Sequence, residues 1–296
     1  MTRKNYQFHY SLIGNLNKPL ITFLHGFMGD INEFDQAIKL LSNDFSSLIL
    51  DLPGHGKTQV LGGDEYYTIE NTAYALINLL DKLKITKCFL VGYSMGGRLG
   101  LYLTLHFPER FYKVVLESAS PGLATEAERL ERIRHDTQIA RKLIRSTDRI
   151  EFAAFISNWY NQKIFGYVKN HPEYSHMIES RLQNNPMELD KSLRFMGTGS
   201  QPSLWEQLKK NTIPMLLLAG EYDEKFIDIN IKITKICEFC QLEIINHAGH
   251  NIHFENTLAF VQNVKKFLHS QLKTRISSLL LWLLLYLPAG RSWGWG

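Results

Sequence analysis

Short apolar segments recur along this chain and alternate with longer segments whose apolar residues have helical spacing. Six of the short segments have the length of buried strands: residues 20–24, 47–50, 88–91, 114–116, 215–219 and 242–245. Strands that alternate with helices build a mostly parallel sheet with helices on both faces. The pattern therefore predicts an α/β fold, with polar motifs collected beyond the carboxyl ends of the strands.

The alternation stops between the fourth and the fifth apolar segment. Residues 126–145, 149–160 and 173–184 are charged and helical in period, and we find no clear strand among them. A simple crossover between parallel strands needs far fewer residues. We expect an α/β core made of residues 1–120 and 206–273, with residues 121–205 inserted as a helical cap over the active edge of the sheet.

Length and composition fit this picture. The chain has 296 residues, of which 45% are hydrophobic and 21% charged, as in ordinary globular proteins. The formal net charge of +4 is small, and the basic residues are scattered rather than grouped in a run that could follow a phosphate backbone. We therefore expect no nucleic acid partner and no obligatory protein partner.

The C-terminal segment, residues 274–296, does not fit the globular pattern. Its apolar part, residues 276–287, is about 12 residues long, whereas a membrane span needs about 20. A tail on a membrane surface, a hydrophobic contact and a non-native extension are alternatives. We interpret the segment as an appended tail of little functional meaning and do not expect membrane contact through it.

The three cysteines, Cys88, Cys237 and Cys240, are too few for a disulfide framework. Cys237 and Cys240 have redox-motif spacing, but no thioredoxin-like strand precedes them and no second pair completes a zinc site. We interpret them as two cysteines on a helix face. The N-terminus also lacks a signal-peptide pattern, so we expect a cytoplasmic protein.

The strongest chemical signal follows the third apolar segment. There, Gly92-Tyr93-Ser94-Met95-Gly96 joins the predicted strand to a helical segment, residues 97–107. In this context G-x-S-x-G forms a nucleophile elbow, a strained turn that lifts the serine Oγ clear of the sheet. Ser94 is therefore the candidate nucleophile or base.

A serine hydroxyl becomes reactive when an imidazole accepts its proton and a carboxylate orients that imidazole. In α/β-hydrolases the serine, the acid and the histidine follow in that order. Asp223 comes just after the fifth apolar segment, and His250 follows the sixth in a short Ala-Gly-His loop. We assign these two residues as the partners of Ser94. Other candidates are Glu221 and Asp228 for the acid, and His247 and His253 for the histidine.

Two backbone N–H groups aimed at one point form an oxyanion hole. In this fold one belongs to the residue after the nucleophile, here Met95. The other belongs to the loop after an early strand, here His25-Gly26-Phe27-Met28-Gly29-Asp30, with Phe27 as the expected donor.

Five motifs together resemble one family of the α/β-hydrolase superfamily, the 2-succinyl-6-hydroxy-2,4-cyclohexadiene-1-carboxylate synthases, over about residues 19–273. These motifs occupy residues 25–30, 92–98, 117–123, 220–226 and 248–251. Arg98 and Ser120-Pro121-Gly122-Leu123 are the parts that generic esterases rarely share.

The resemblance implies a lyase of menaquinone or phylloquinone biosynthesis that works without a metal or an organic cofactor. The family eliminates pyruvate from 2-succinyl-5-enolpyruvyl-6-hydroxy-3-cyclohexene-1-carboxylate. Ser94, activated by His250 and Asp223, would abstract a ring proton as a general base. The N–H groups of Phe27 and Met95 would hold the negative charge that develops on the succinyl carbonyl oxygen.

The implied substrate is a small polycarboxylate, and arginine forks bind carboxylates with two hydrogen bonds. The resemblance places the family's substrate-binding residues at Tyr93, Arg98, Arg132, Trp159 and Arg181. Because this part of the cap is rich in arginine, Arg129 and Arg134 are alternatives to Arg132.

Two other functions are compatible with the same motifs. A serine hydrolase acting on acidic esters or on carbon–carbon bonds would use the same triad. The arginine set favours the lyase, since a neutral ester needs no guanidinium groups. A receptor or scaffold that kept the fold without turnover would have no need of all three triad residues.

Overall fold

Seven strands form the central sheet in the computed structural model, which describes residues 5–15, 17–146 and 148–270. The strands along the chain are β1 Tyr6–Gln7, β2 Tyr10–Ile13, β3 Leu20–Leu24, β4 Ser46–Leu50, β5 Gln59–Val60, β6 Cys88–Tyr93, β7 Phe111–Glu117, β8 Met215–Gly220 and β9 Cys240–Ile245. The order across the sheet is β2-β4-β3-β6-β7-β8-β9, while β1 pairs separately with β5. Within the sheet, β2 runs antiparallel to β4 and the other pairs are parallel.

The helices flank this sheet on both faces, which confirms the predicted α/β fold. They are α1 Asp35–Leu41, α2 Ile69–Lys82, α3 Met95–His106, α4 Glu126–Arg145, α5 Arg149–Trp159, α6 Tyr174–Arg181, α7 Pro186–Met196, α8 Trp205–Leu208, α9 Glu224–Ile236, α10 Ile252–Glu255 and α11 Thr257–His269. One apolar cluster joins the sheet to α2, α3, α8 and α9, and a second joins it to α1, α10 and α11.

All six predicted strands belong to the central sheet. Strands β4 and β8 are buried along their whole length, as expected for parallel strands covered on both faces. The edge strand β2 was not predicted, because Ser11 interrupts its apolar residues and leaves no continuous apolar run.

Helices α4 to α7 lie between β7 and β8, in the part of the chain that was expected to form a cap. They share a third apolar cluster, to which Met28 of the core also belongs. Helix α7 was missed because its charged residues masked the start signal, in which Asn185 caps the helix and Pro186 follows in the first turn. We call residues 121–205 the cap segment, and its status as a separate domain stays a prediction.

Cys237 and Cys240 differ from the expectation of two helix-face cysteines. Cys237 ends helix α9 and Cys240 begins strand β9, so the chain turns between them and brings the two sulfur atoms together as a disulfide. In the described ranges no helix is both long and apolar enough to cross a bilayer. The predicted tail, residues 274–296, lies outside the described residues, as do core residues 271–273.

Candidate active site

Ser94 stands at a sharp turn between β6 and α3. Its backbone angles, φ 49° and ψ −105°, lie in a region that residues with a Cβ rarely adopt, as expected for a nucleophile elbow. Glycines make the turn possible. A Cβ on Gly96 would lie 2.2 Å from the carbonyl oxygen of Leu24, and one on Gly92 would lie 2.6 Å from that of Gly96.

Three side chains predicted from separate strand ends meet at this turn. His250 Nε2 lies 2.9 Å from Ser94 Oγ, and His250 Nδ1 lies 2.6 Å from Asp223 Oδ2. Asp223 is fully buried, and its Oδ1 also accepts the N–H of Phe226 at 3.4 Å. This hydrogen-bonded chain has the arrangement that lets a carboxylate orient an imidazole, and the imidazole accept a serine proton.

The other candidates for the acid and the histidine lie elsewhere. Glu221 is exposed and accepts the backbone N–H of His247, while Asp228 is exposed on α9. His247 is itself exposed. His253 is buried, but its ring nitrogens contact Glu117 and Glu33 rather than Ser94.

The cap segment helps to fix His250. The backbone N–H of His250 donates to the carbonyl oxygen of Ile164 at 2.8 Å. The Phe165 ring meets the imidazole edge to face, with ring centroids 5.5 Å apart, and the Phe226 centroid lies 4.7 Å away. These contacts hold the imidazole in the position between Asp223 and Ser94.

Phe27 lies in the turn that follows β3, which Gly29 closes by donating its N–H to Gly26 O at 3.0 Å. Within the described part of the chain, the N–H groups of Phe27 and Met95 donate no hydrogen bond to another protein group. Both residues line the cavity in front of Ser94. Two uncommitted donors beside the serine are what an oxyanion hole requires.

A cavity of about 470 Å³ lies between the sheet edge and the cap segment and contains Ser94 and His250 in its wall. Tyr93 and Trp159, both predicted to bind substrate, line it as well. Trp159 packs on Phe27, with ring centroids 5.3 Å apart. Burial raises the pKa of Tyr93 well above its ordinary value, so its phenol stays protonated and can donate a hydrogen bond.

Arg98 lines the cavity from the second turn of α3 and is largely buried. One of its terminal nitrogens, Nη1, donates to Met196 O at 2.8 Å and to Gln201 Oε1 at 2.7 Å, which fixes the guanidinium in place. Burial and, next, the nearby charge of Arg132 lower the pKa of Arg98 to about 10. Arg98 therefore remains charged at neutral pH and would gain from an anion beside it.

Arg132 also lines the cavity and donates through Nε to Asp136 at 2.7 Å, which leaves the end of the guanidinium for other partners. The alternatives to it do not line the cavity. Arg129 donates to Gly199 O, and Arg134 forms an exposed pair with Glu131.

Two lysines of α9, Lys225 and Lys232, also line the cavity and were missed by the sequence analysis. The sequence alone does not show which side of α9 faces the cavity. That side is defined only by the way the helix packs on the sheet. The one acidic residue among the described wall residues, Glu128, is engaged in capping α4 at Thr125. The wall thus carries an excess of positive charge, suited to an acidic ligand.

Arg181, also predicted to bind substrate, is not among the residues that line the cavity. Its side chain is buried, with Nη2 2.6 Å from Glu33 Oε1 and Nε 3.2 Å from the hydroxyl of Tyr160. Tyr160 does line the cavity, so Arg181 lies behind the wall. The sequence match identified the position but could not show that Glu33 occupies the guanidinium.

The buried charges continue beyond this pair. His253 Nε2 lies 3.1 Å from Glu33 Oε1, and His253 Nδ1 lies 2.8 Å from Glu117 Oε2. Burial alone would raise the pKa of Glu33, but Arg181 and His253 lower it to about 2. Burial alone would lower the pKa of His253, but Glu117 and Glu33 raise it to about 9. We call these four residues, Arg181, Glu33, His253 and Glu117, the buried charge array.

Comparisons with known proteins agree with this geometry. The profile of the α/β-hydrolase fold family matches residues 19–257. A Bacillus subtilis (strain 168) protein, provisionally named 2-succinyl-6-hydroxy-2,4-cyclohexadiene-1-carboxylate synthase, is 40% identical over 253 residues, which are 84% of this chain and 90% of that protein. The enzyme of that name from Enterobacter sp. (strain 638) is 33% identical and covers 86% of this chain and 93% of its own length.

A solved structure, that of MenH from S. aureus, is similar in the same way. It superposes with a TM-score of 0.80 at 34% identity and covers 90% of this chain and 98% of that chain. Sequence identity of this extent over nearly the whole length of the relatives includes the cap segment as well as the core. The chain therefore belongs to the 2-succinyl-6-hydroxy-2,4-cyclohexadiene-1-carboxylate synthases, a family with the α/β-hydrolase fold.

Proposed function

We propose that this protein is a lyase that eliminates pyruvate from 2-succinyl-5-enolpyruvyl-6-hydroxy-3-cyclohexene-1-carboxylate. The product is 2-succinyl-6-hydroxy-2,4-cyclohexadiene-1-carboxylate, the compound in the name of the relatives. The observation that carries the proposal is the Ser94–His250–Asp223 chain, which opens onto a cavity with a positively charged wall. The substrate is a tricarboxylate, so its charge matches that wall.

In the proposed reaction, Ser94 Oγ takes the proton from ring carbon 2, next to the succinyl carbonyl, while His250 takes the hydroxyl proton of Ser94. The electron pair of the broken C–H bond forms the double bond between ring carbons 2 and 3. The ring double bond moves to carbons 4 and 5, and the bond from carbon 5 to the enolpyruvyl oxygen breaks. The leaving group departs as the enolate of pyruvate, and its carbon takes up a proton to give pyruvate.

Negative charge collects on the succinyl carbonyl oxygen as the ring proton leaves. In the proposal, the N–H groups of Phe27 and Met95 hold this charge. Support comes from their place in the cavity wall and from the fact that no described protein group accepts a hydrogen bond from either of them. Asp223 keeps the His250 imidazole in the orientation and tautomer that receive the proton.

The carboxylates of the substrate bind to the cationic wall. We assign Arg98 and Arg132 as the main carboxylate partners, with Lys225 and Lys232 on the facing helix, because all four line the cavity. Tyr93 donates a hydrogen bond from its protonated phenol, and the Trp159 ring covers the apolar face of the cyclohexene.

The proposal also gives the cap segment its role. Residues 121–205 act as a cap domain that supplies Arg132 and Trp159 to the cavity, while the core supplies the triad and Arg98. A triply charged biosynthetic intermediate does not cross membranes unaided, so the proposal places the enzyme in the cytoplasm, where such intermediates are made.

The test is pyruvate release from the enolpyruvyl substrate, generated in situ by the enzyme that forms it and followed by NADH oxidation through lactate dehydrogenase. Release well above the spontaneous elimination, and lost in Ser94→Ala, is the expected result. If wild type does not exceed the spontaneous rate but hydrolyses an acidic ester in a Ser94-dependent way, the chain is a hydrolase instead.

A further inference from the structure

Side chains of helix α6 and of the residues after it form hydrogen bonds to the loop that carries Phe27. Three side chains within five residues each hold a different point of that loop. Ser180 Oγ donates to Asp30 Oδ2 at 2.8 Å, Asn184 Nδ2 donates to Met28 O at 2.8 Å, and Arg181 pairs with Glu33 at 2.6 Å. We call residues 26–33 the oxyanion loop. The cap therefore fastens this loop at three points, residues 28, 30 and 33, between the first turn and α1.

The oxyanion loop needs such support, because its backbone is strained. Met28 has φ 66°, a left-handed conformation that is costly for a residue with a long side chain. Its side chain is fully buried in the apolar cluster of the cap segment. Asn184 fixes the carbonyl oxygen of Met28 directly, one residue after the proposed donor Phe27. Strain of this kind persists only where the surroundings determine the conformation.

Arg181 is the charged member of this set of contacts, and its surroundings are those of a structural ion pair. Only 3% of the residue is exposed, and both Glu33 and Tyr160 take hydrogen bonds from its guanidinium. Moving it to a substrate carboxylate would leave two buried carboxylates, Glu33 and Glu117, to share His253 as their one cation, and an undercompensated buried charge is costly. The pairing therefore opposes a direct role in substrate binding.

Glu33 also connects Arg181 to the other side of the reaction centre. The buried charge array runs from Arg181 through Glu33 and His253 to Glu117, whose main-chain carbonyl accepts the N–H of Ser94 at 2.8 Å. The array thus joins the cap, the oxyanion loop and the elbow, and its two cations and two anions balance.

We infer that Arg181 is a positioning residue, which through Glu33 holds the oxyanion loop so that the Phe27 N–H points at the developing oxyanion. The inference rests on the proposed lyase function and replaces the carboxylate-binding role expected from sequence. Loss of Arg181 then lowers kcat and leaves KM nearly unchanged, because the interaction it supports strengthens in the transition state. A direct carboxylate contact would instead raise KM.

The experiment compares wild type, Arg181→Met, Glu33→Gln and the double variant in the pyruvate-release assay, with circular dichroism to confirm folding. We expect kcat to fall by about 10- to 100-fold in each single variant, as for a displaced catalytic group, with KM within about twofold. The double variant should fall no further than the single ones, since both act through one pair. Arg181→Lys should recover part of kcat by restoring the charge.

A matched control is Arg149→Met, which removes an exposed cap arginine paired with Glu179 and should leave both constants unchanged. If Arg181→Met does not fold, Ser180→Ala is the second variant. It removes only the hydroxyl that donates to Asp30 and should lower kcat several-fold at constant KM.

An increase in KM and weaker product binding with kcat retained, or additive losses in the double variant, would overturn the inference. An unchanged kcat in Ser180→Ala together with full activity in Glu33→Gln would do the same. These outcomes differ from failure of the proposed function, in which wild type itself releases no pyruvate above the spontaneous rate.

Discussion

The main-chain N–H of Ser94 donates to the carbonyl oxygen of Glu117 at 2.8 Å, while the Glu117 carboxylate accepts from His253. One residue at the end of β7 thus ties the elbow to the buried charge array. The glutamate is completely buried, so its negative charge is balanced by a protonated His253 rather than by water. The stability of the fold should depend on this side chain, whereas the hydrogen bond to Ser94 uses the main chain of the same residue.

Replacing Glu117 by alanine should destabilise the protein by about 3–5 kcal/mol, because it leaves a buried imidazolium with one partner fewer. Urea unfolding followed by circular dichroism measures the change. Glu243→Gln, an exposed position in the neighbouring part of the sheet, is the control and should stay within about 0.5 kcal/mol of wild type. Equal stability of the Glu117 variant and wild type would show that the array is not a balanced set of charges.

Stability should fall between about pH 6.5 and pH 9. The folded-state pKa of His253 is about 9 against an ordinary value of 6.5, so the folded protein holds a proton that the unfolded chain releases in this range. The stabilisation is complete below pH 6.5 and is lost as pH rises through 9, with a slope of at most about 1.4 kcal/mol per unit.

Several charged groups near His253 also affect the pH dependence of stability, so the contribution of His253 has to be separated from theirs. Glu117 and Glu33 contact the ring, Arg181 lies beyond Glu33, and Glu255 adds a negative charge when ionised. Burial raises the pKa of Glu255 to about 7, which lowers stability as pH rises from about 4.5 to 7, although the charge of His253 opposes this shift. The measurement is therefore the difference between wild type and His253→Gln in urea midpoints. A difference that does not change with pH above 6.5 would refute the prediction.

Ser94→Ala and His250→Ala should each reduce kcat for pyruvate release by about 10²- to 10⁴-fold, the range of general-base catalysis. Neither change should unfold the protein, since small residues fit both positions at the edge of the cavity. Ser94→Ala keeps the Cβ and therefore the backbone strain of the elbow, so the thermal midpoint should stay close to that of wild type. Turnover that survives in both variants would exclude the triad as the base.

Lys225→Met should raise KM for the tricarboxylate substrate about tenfold and leave kcat nearly unchanged. Lys225 is one of the residues that line the cavity, and a hydrogen bond to a charged group contributes about 1.5 kcal/mol or more, which corresponds to roughly tenfold in affinity. Lys235→Met, an exposed lysine of the same helix outside the cavity wall, is the matched control. A KM in Lys225→Met equal to that of the control would remove Lys225 from the carboxylate site.

The sequence predicted the parts of the site that follow directly from strand ends. Ser94, Asp223 and His250 each come just after a parallel strand, and the ends of such strands meet at one edge of the sheet. Their separation along the chain was therefore no obstacle. The cap arginine Arg132 was harder to choose, since only the rotation of α4 about its axis separates it from Arg129 and Arg134.

The sequence could not predict the buried charge array, because it depends on contacts between elements that are far apart along the chain. Glu33 and His253 are 220 residues apart, and no local pattern marks them as a pair. For the same reason the sequence could not show that Arg181 is paired with Glu33 behind the cavity wall. Lys225 was missed because no local pattern in the sequence shows which face of α9 turns toward the cavity.

The bond from the His250 N–H to the carbonyl oxygen of Ile164 joins two main-chain groups. Amino-acid replacement at position 164 keeps the acceptor whatever the new side chain is, and at position 250 only proline would remove the donor. Substitutions at position 164 can therefore change the side chain without releasing the histidine from this contact with the cap. A change in the length of the chain around residue 164 has no such protection, so insertions and deletions there, rather than substitutions, set the limit on how far this cap can be redesigned.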